Sequence, residues 1–193
     1  MPVAYPIARR LGAPLDVLVV RKVGLPGDPE YGLGAVGEGG VVVVDERRAA
    51  LAGLGRARLE PEVRREALEV ERRLARFRRA APAVDVAGSD VVVVDDGVAT
   101  GGTVDAALAV LRARGPRSVT LAFGVAPAEA VERLRRAVDA LEVVLVPPFF
   151  EAVGLGYRRF EPVEDEEVLA WLARARGEGG AARDGPTSSR RAP

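Results

Sequence analysis

In the second half of the chain, short valine-rich runs alternate with stretches whose apolar residues recur every three or four positions. "DVVVVD" (90–95), "SVTLAF" (118–123) and "VVLV" (143–146) read as strands. "TVDAALAVLRARG" (103–115) reads as a helix with Val104, Ala107, Leu108 and Leu111 on one face and Gly115 as its stop. "PAEAVERLRRAVDAL" (127–141) reads as a second, with Val131, Leu134, Val138 and Leu141 inward. The valine runs do not alternate with polar residues, so the pattern predicts strands buried on both faces, as in a parallel sheet. Right-handed crossovers then place helices on both sides. The expected fold is α/β: a doubly wound, mostly parallel sheet with helices on both faces and a small C-terminal cap.

The first half is less regular. Residues 2–12 read as a short helix ending at Gly12, with Pro6 awkward inside it. "LDVLVVRK" (15–22) reads as a strand, 23–40 as a Gly-rich loop, and "VVVV" (41–44) as another strand. Residues 61–80 give the clearest amphipathic helix, with Pro61 in its first turn and Val63, Ala67, Val70, Leu74 and Phe77 as its stripe. Residues 147–175 hold most of the aromatics and one last helix around Leu169 and Trp171. The tail 176–193 is small, polar and turn-rich, and is expected to be disordered. One domain over 1–175 follows, which suits a chain of 193 residues.

Composition narrows the chemistry. There is no Cys and no His, so thiolates, disulfides and imidazole are all excluded. Catalysis would have to rest on carboxylates, hydroxyls, backbone amides, Arg or the single lysine, Lys22. The formal net charge is zero, which gives no nucleic-acid footprint overall. The basic run "RRLARFRR" (72–79) follows glutamates on a helical pattern and reads as a solvated face. No stretch is apolar enough to span a membrane, and no signal-peptide pattern opens the chain, so a cytoplasmic location is expected.

The candidate site is "VVVVDDGVATGGT", Val91 to Thr103. In an open α/β sheet, ligands sit beyond the carboxyl ends of the strands, where Asp95 and Asp96 fall. The next helix begins near Thr103 with unpartnered N–H groups and the positive end of its dipole. The amides from Ala99 to Gly102, with the hydroxyls of Thr100 and Thr103, make an anion site. Two carboxylates beside it make sense if the ligand also carries a vicinal diol, a divalent cation, or both; a ribose 5-phosphate unit with Mg²⁺ fits. The plainer alternative is that the aspartates end a strand and Thr103 caps a helix. Other phosphate motifs fail: no Lys follows the last Gly as a P-loop requires, and "GLGAVG" (32–37) leads into a strand.

Strand, two acids and a T-G-G loop resemble the phosphoribosyl-diphosphate (PRPP) signature of type I phosphoribosyltransferases, and "ATGGT" is similar to the loop of uracil-type members. Residues 19–40 and 150–168 look like segments of a bacterial group of predicted phosphoribosyltransferases. The resemblance implies that Asp95 and Asp96 bind the ribose hydroxyls, directly or through Mg²⁺, and that Gly97, Val98, Ala99, Thr100, Gly101, Gly102 and Thr103 cradle the 5′-phosphate. It implies that Arg21 and Lys22 belong to a mobile segment closing over diphosphate; for Lys22 a lysine merely ending a strand weighs equally. Residues near Phe149 to Tyr157 would form the hood over the acceptor. Ala99 stands where purine-type members carry an acid, which argues against a purine acceptor relying on that acid. The family fold also begins with a strand and a diphosphate-binding loop, and "MPVAY" resembles the end of that loop. The expectation is that both are missing, through a start codon assigned too far downstream or as a truncated, inactive relative.

Three readings remain open. The first is transfer of ribose 5-phosphate from PRPP to a nitrogen acceptor, with small molecules as partners, neither nucleic acid nor membrane, and a homodimer possible. The second is a non-catalytic PRPP- or nucleotide-binding regulatory module. The third is a protein-interaction role for the helix at 61–80.

Overall fold

A computed structural model describes the chain over residues 1–99 and 101–181. Among these residues are two three-stranded sheets. The first is antiparallel, in the order β1 (Val20–Leu25), β2 (Asp28–Gly37), β3 (Val41–Val44). The second is parallel, in the order β4 (Asp90–Gly97), β5 (Ser118–Val125), β6 (Ala140–Leu145). Six helices accompany them among the described residues: α1 (Ala4–Leu11), α2 (Glu46–Leu51), α3 (Arg56–Ala80), α4 (Gly102–Ala113), α5 (Ala128–Arg135) and α6 (Asp165–Ala181). The α/β class and the parallel half are as the sequence predicts.

The stretch read as a Gly-rich loop is instead a β-hairpin. Pro26 and Gly27 make its turn, Gly27 with φ 90°, and Leu25 pairs with Asp28 across it. Its glycines serve close packing. A Cβ at Gly34 would lie 2.3 Å from the Val43 carbonyl oxygen, and one at Gly37 would lie 2.5 Å from Val110 Cγ2 of α4. "GLGAVG" is therefore itself strand rather than loop, and it leads into β3 rather than into a helix. The hairpin sheet is sandwiched, with Val23 and Val36 against Val70 and Phe77 of α3 on one face and Gly37 against α4 on the other.

Helix boundaries moved where tertiary contacts overrode local pattern. α3 starts at Arg56, so Pro61 lies inside it rather than in its first turn. Burial of Leu59 at 0% exposure, in a cluster with Leu33 and Ala49, holds the extra N-terminal turn despite the missing N–H of Pro61. α5 stops at Arg135, because Asp139 exchanges bonds with Val119: its N–H donates to the Val119 carbonyl (3.0 Å) and its Oδ2 accepts from the Val119 N–H (2.7 Å). That commits Leu141 to β6, opposite Leu121, rather than to a helix. α6 runs to Ala181, past the boundary drawn at residue 175; residues 182–193 lie outside the described ones.

The main core lies between the parallel sheet and α4 and α5, with Leu121, Phe123, Leu108 and Leu134 nearly or fully buried. The strands are not uniformly buried on both faces, however. β5 alternates buried and half-buried positions, and Val92 of β4 is 39% exposed. Beside β4 lies a cavity of about 580 Å³, lined by Val91–Asp95 and by residues 15–20. Residues 15–19, read as part of a strand, have no strand partner there and carry no regular secondary structure.

Candidate ribose phosphate site

Asp95 and Asp96 end β4 at its carboxyl edge. Each carboxylate folds back on the chain: Asp95 Oδ1 accepts from the Asp96 N–H (2.9 Å) and Asp96 Oδ1 from the Gly97 N–H (2.8 Å). These bonds leave each carboxylate its second oxygen for a ligand. Burial pushes the Asp95 carboxyl up to about 6, helped by the charge of Asp96 beside it. Part of its surface still reaches solvent, so the dehydration is partial.

The sign of that shift makes a prediction. The folded chain holds the Asp95 proton more tightly than the unfolded chain, whose carboxyl titrates near 3.8. The stabilisation is therefore complete below that value and is lost as pH rises through about 6. An Asp95→Asn variant should show a flatter Tm across roughly pH 4 to 7 and melt above the wild type at neutral pH. Thermal melts across that range check it; parallel wild-type and variant curves would show that Asp95 is fully hydrated.

The loop to α4 is shared between core and site. Val98 is turned inward, 4% exposed, and its N–H donates to the Val125 carbonyl (3.0 Å). With the Gly97 N–H taken by Asp96, neither of these two amides is available to a ligand. Ala99 and Thr103 are exposed, and Gly102 begins α4. Gly101 caps the helix with φ 86° and no side-chain cap bond, so Thr103 is not the capping residue. By helix geometry the first N–H groups of α4 have no intrahelical acceptor and face the end of β4. Thr100 lies outside the described residues.

Of two further side chains at this site, Arg133 was not singled out in the sequence and Tyr157 only as one end of the expected hood. Arg133 of α5 reaches over the loop: its Nη1 donates to both carboxylate oxygens of Asp105 (2.8 and 2.9 Å), and a Cβ at Gly101 would lie 1.9 Å from its Nη2. A guanidinium thus stands at the N-terminus of α4. The second is Tyr157, which follows the turn Val153–Gly156. Its hydroxyl donates to the Asp96 carbonyl at 2.5 Å and sits over Gly124, where a Cβ would lie 1.8 Å from the oxygen. Its ring packs against Phe160, with centroids 5.4 Å apart. Dehydration and the charges of Asp96 and Asp95 raise its pKa. Phe149 and Leu155 of the same C-terminal segment are exposed. Removing the hydroxyl in Tyr157→Phe should cost about 1 kcal/mol and loosen this segment. A chemical denaturation midpoint equal to wild type would show that the bond is not made in solution.

Arg21 and Lys22 are placed apart from the aspartates, on β1 of the other sheet. Arg21 Nε donates to Glu66 Oε2 of α3 (3.0 Å), and Glu66 is nearly buried. Lys22 lies along Gly32 of the neighbouring strand. Neither is among the charges acting on Asp95. Among the described residues, no group of three acidic, His or Cys side chains could hold a metal ion. No described helix is long and apolar enough to cross a membrane.

A family model described as "Phosphoribosyl transferase domain" matches residues 1–154. A Mycobacterium tuberculosis protein provisionally named a phosphoribosyl transferase is 43% identical over 175 residues, covering 91% of this chain and 40% of that protein. The chain thus spans about two fifths of the length of this curated relative. A ribose-phosphate pyrophosphokinase of Thermococcus kodakarensis is 34% identical over 147 residues, 71% of this chain and 48% of that protein. Among solved structures, TT1426 from Thermus thermophilus superposes with a TM-score of 0.72 at 48% identity, covering 89% of this chain and 81% of that one.

Proposed function

The chain belongs to the phosphoribosyl transferase domain family, and we propose that within it Asp95, Asp96 and the start of α4 bind the ribose 5-phosphate moiety of PRPP for transfer to a nitrogen acceptor. One observation carries this reading: two adjacent carboxylates end a parallel strand one short loop from a helix N-terminus overlooked by Arg133. The amides of Gly101, Gly102 and Thr103 and the Arg133 guanidinium suit a phosphate dianion. The second oxygens of Asp95 and Asp96 suit the two ring hydroxyls. A relative whose name gives ribose phosphate as its substrate supports the same chemistry.

In the reaction, the bond from the anomeric carbon to diphosphate breaks, and diphosphate leaves with the electron pair. The acceptor nitrogen forms the new bond to that carbon and gives up its proton. The protein's share is positioning: phosphate on α4 and diol on Asp95 and Asp96 fix the ribose so that one face of the anomeric carbon meets the acceptor. The carboxylates also place negative charge near an oxocarbenium-like carbon. Asp95 and Asp96 would hold Mg²⁺ only together with ligand and water oxygens, which matches the preference of that ion for one or two carboxylates plus phosphate. When bound, Mg²⁺ would offset the charge of the departing diphosphate. The segment from Phe149 to Tyr157 would cover the acceptor.

A second reading, a module that binds PRPP without turnover, is favoured by one observation. The cations expected at the diphosphate, Arg21 and Lys22, stand on the other sheet, with Arg21 committed to Glu66. The two readings part in one experiment. Calorimetric titration with ribose 5-phosphate and with PRPP plus Mg²⁺ reports binding, and a diphosphate-release assay with uracil and other bases reports turnover. Binding with release supports the transferase, binding alone supports the module, and absence of both from a folded protein would sink the site assignment.

A further inference from the structure

We infer that Tyr157 is a positioning residue for the ribose ligand proposed above: through the Asp96–Gly97 peptide, its hydroxyl holds the Asp96 carboxylate in the orientation that receives a ring hydroxyl.

One peptide group carries the effect. The carbonyl of Asp96 accepts from the Tyr157 hydroxyl at 2.5 Å. The N–H of Gly97, at the other side of the same peptide, donates to Asp96 Oδ1 at 2.8 Å. A planar peptide turns as one body, so fixing its oxygen fixes the direction of its N–H. That direction sets where Oδ1 sits, and the second carboxylate oxygen follows from it. Donation to the carbonyl also polarises the peptide and strengthens the bond that its N–H makes. The register between β4 and β5 pairs Asp95 with Phe123 and Gly97 with Val125, and does not include Asp96. At that position a side-chain hydroxyl supplies the hold that the ladder supplies to its neighbours.

Glycines cut the seat for this hydroxyl. A Cβ at Gly124 of β5 would lie 1.8 Å from the Tyr157 oxygen and 2.7 Å from the Asp96 carbonyl oxygen, so only glycine lets donor and acceptor meet there. A Cβ at Gly97 would lie 2.6 Å from Val153 Cγ1, and one at Gly156 would lie 2.2 Å from Val125 Cγ2. None of these glycines has a left-handed φ, so close approach rather than a turn is what requires them. The turn Val153–Gly156 is thus pressed onto the ends of β4 and β5.

Tyr157 is the anchor of its segment. Leu155, Gly156, Arg158, Arg159 and Phe160 are exposed, whereas Tyr157 is half-buried. Dehydration, with the charges of Asp96 and Asp95 added, raises its pKa, so the hydroxyl keeps its proton and remains a donor. One hydrogen bond thereby joins the segment that would cover the acceptor to the carboxylate that would hold the diol. A ligand that settles either one tightens the other, and the effect is reciprocal.

The test sets Tyr157→Phe against the wild type with two ligands and one amide. Calorimetric titration with ribose 5-phosphate should show an affinity about 5-fold weaker in the variant, the worth of one hydrogen bond. Inorganic phosphate, which engages α4 alone, should bind both proteins equally. Exchange of the Gly97 amide hydrogen should quicken about 10-fold, because its acceptor is no longer fixed. Val70→Ala makes a cavity in the core beside α3, away from the site. It should lower the Tm by more than Tyr157→Phe does and leave the ribose 5-phosphate affinity unchanged. Affinity that follows Tm in both variants would reduce Tyr157 to a structural residue and overturn the inference. So would equal ribose 5-phosphate affinity in wild type and Tyr157→Phe, an unchanged Gly97 amide, or an equal loss for inorganic phosphate, and each of these leaves the site assignment standing. A folded wild type that binds no ribose 5-phosphate would instead remove the site assignment, and the role of Tyr157 with it.

Discussion

Replacing both acids, Asp95→Asn/Asp96→Asn, should lower the affinity for ribose 5-phosphate by at least about 100-fold while leaving the fold intact. A hydrogen bond to a charged group is worth about 1.5–3 kcal/mol, and two are removed at once. Since each 1.4 kcal/mol is tenfold in affinity, even the lower bound, about 3 kcal/mol for the two, reaches that figure. The substitution is chosen to spare the structure. Each Asp uses one oxygen to accept a backbone N–H, at 2.9 and 2.8 Å, and the amide oxygen of Asn can keep both bonds. Asp95 is also partly dehydrated, so neutralising it removes a penalty. Calorimetric titration of wild type and double variant, with melts of each, makes the comparison. Equal affinity would reduce the pair to the polar end of a strand.

The largest effect on stability should come from a residue far from that site. Glu38 follows β2, is 3% exposed, and is the meeting point of three elements. Its Oε1 accepts from the Val19 N–H at 2.8 Å, and its Oε2 accepts from Arg114 at the end of α4. Arg78 of α3 stands 3.6 Å from Oε1. Glu38→Ala would leave the Val19 N–H without its acceptor and the Arg114 guanidinium without its counter-charge, while Arg78 keeps its ion pair with Asp16. Breaking a buried pair from one side costs about 3–5 kcal/mol. For a chain of this size that is a fall in Tm of roughly 10 °C. Glu38→Gln keeps the acceptor and should lose less. Thermal and urea melts of the two variants decide it, and an Ala variant as stable as wild type would mean that the cluster is solvated.

The residues of the candidate site were legible because their signal is local. Asp95, Asp96, the glycines and Thr103 are contiguous, and a strand, a loop and a helix N-terminus in that order need no distant partner to be recognised. Val98 was misjudged for the same reason. Within the loop it looks like any small lining residue, and only the position of Val125 reveals that its amide and side chain belong to the core. Arg133 and Tyr157 reach the site from more than 25 residues away, so no local spacing announces them.

Taken alone, the sequence determined the parallel β4–β5–β6 unit with α4 and α5, the stripe of α3, and the place of the acidic pair. Each follows from a period of burial written along a single element. Tertiary structure decided the rest. The glycines of β2 hide its period-two pattern, because their function is close approach to β3 and α4 rather than burial of side chains. The end of α5 depends on Asp139 finding Val119, and the role of Glu38 on three elements meeting around it. Whether a valine run is central or lies at an edge depends on the neighbour it finds in space, and neighbours are a property of the folded chain rather than of the run.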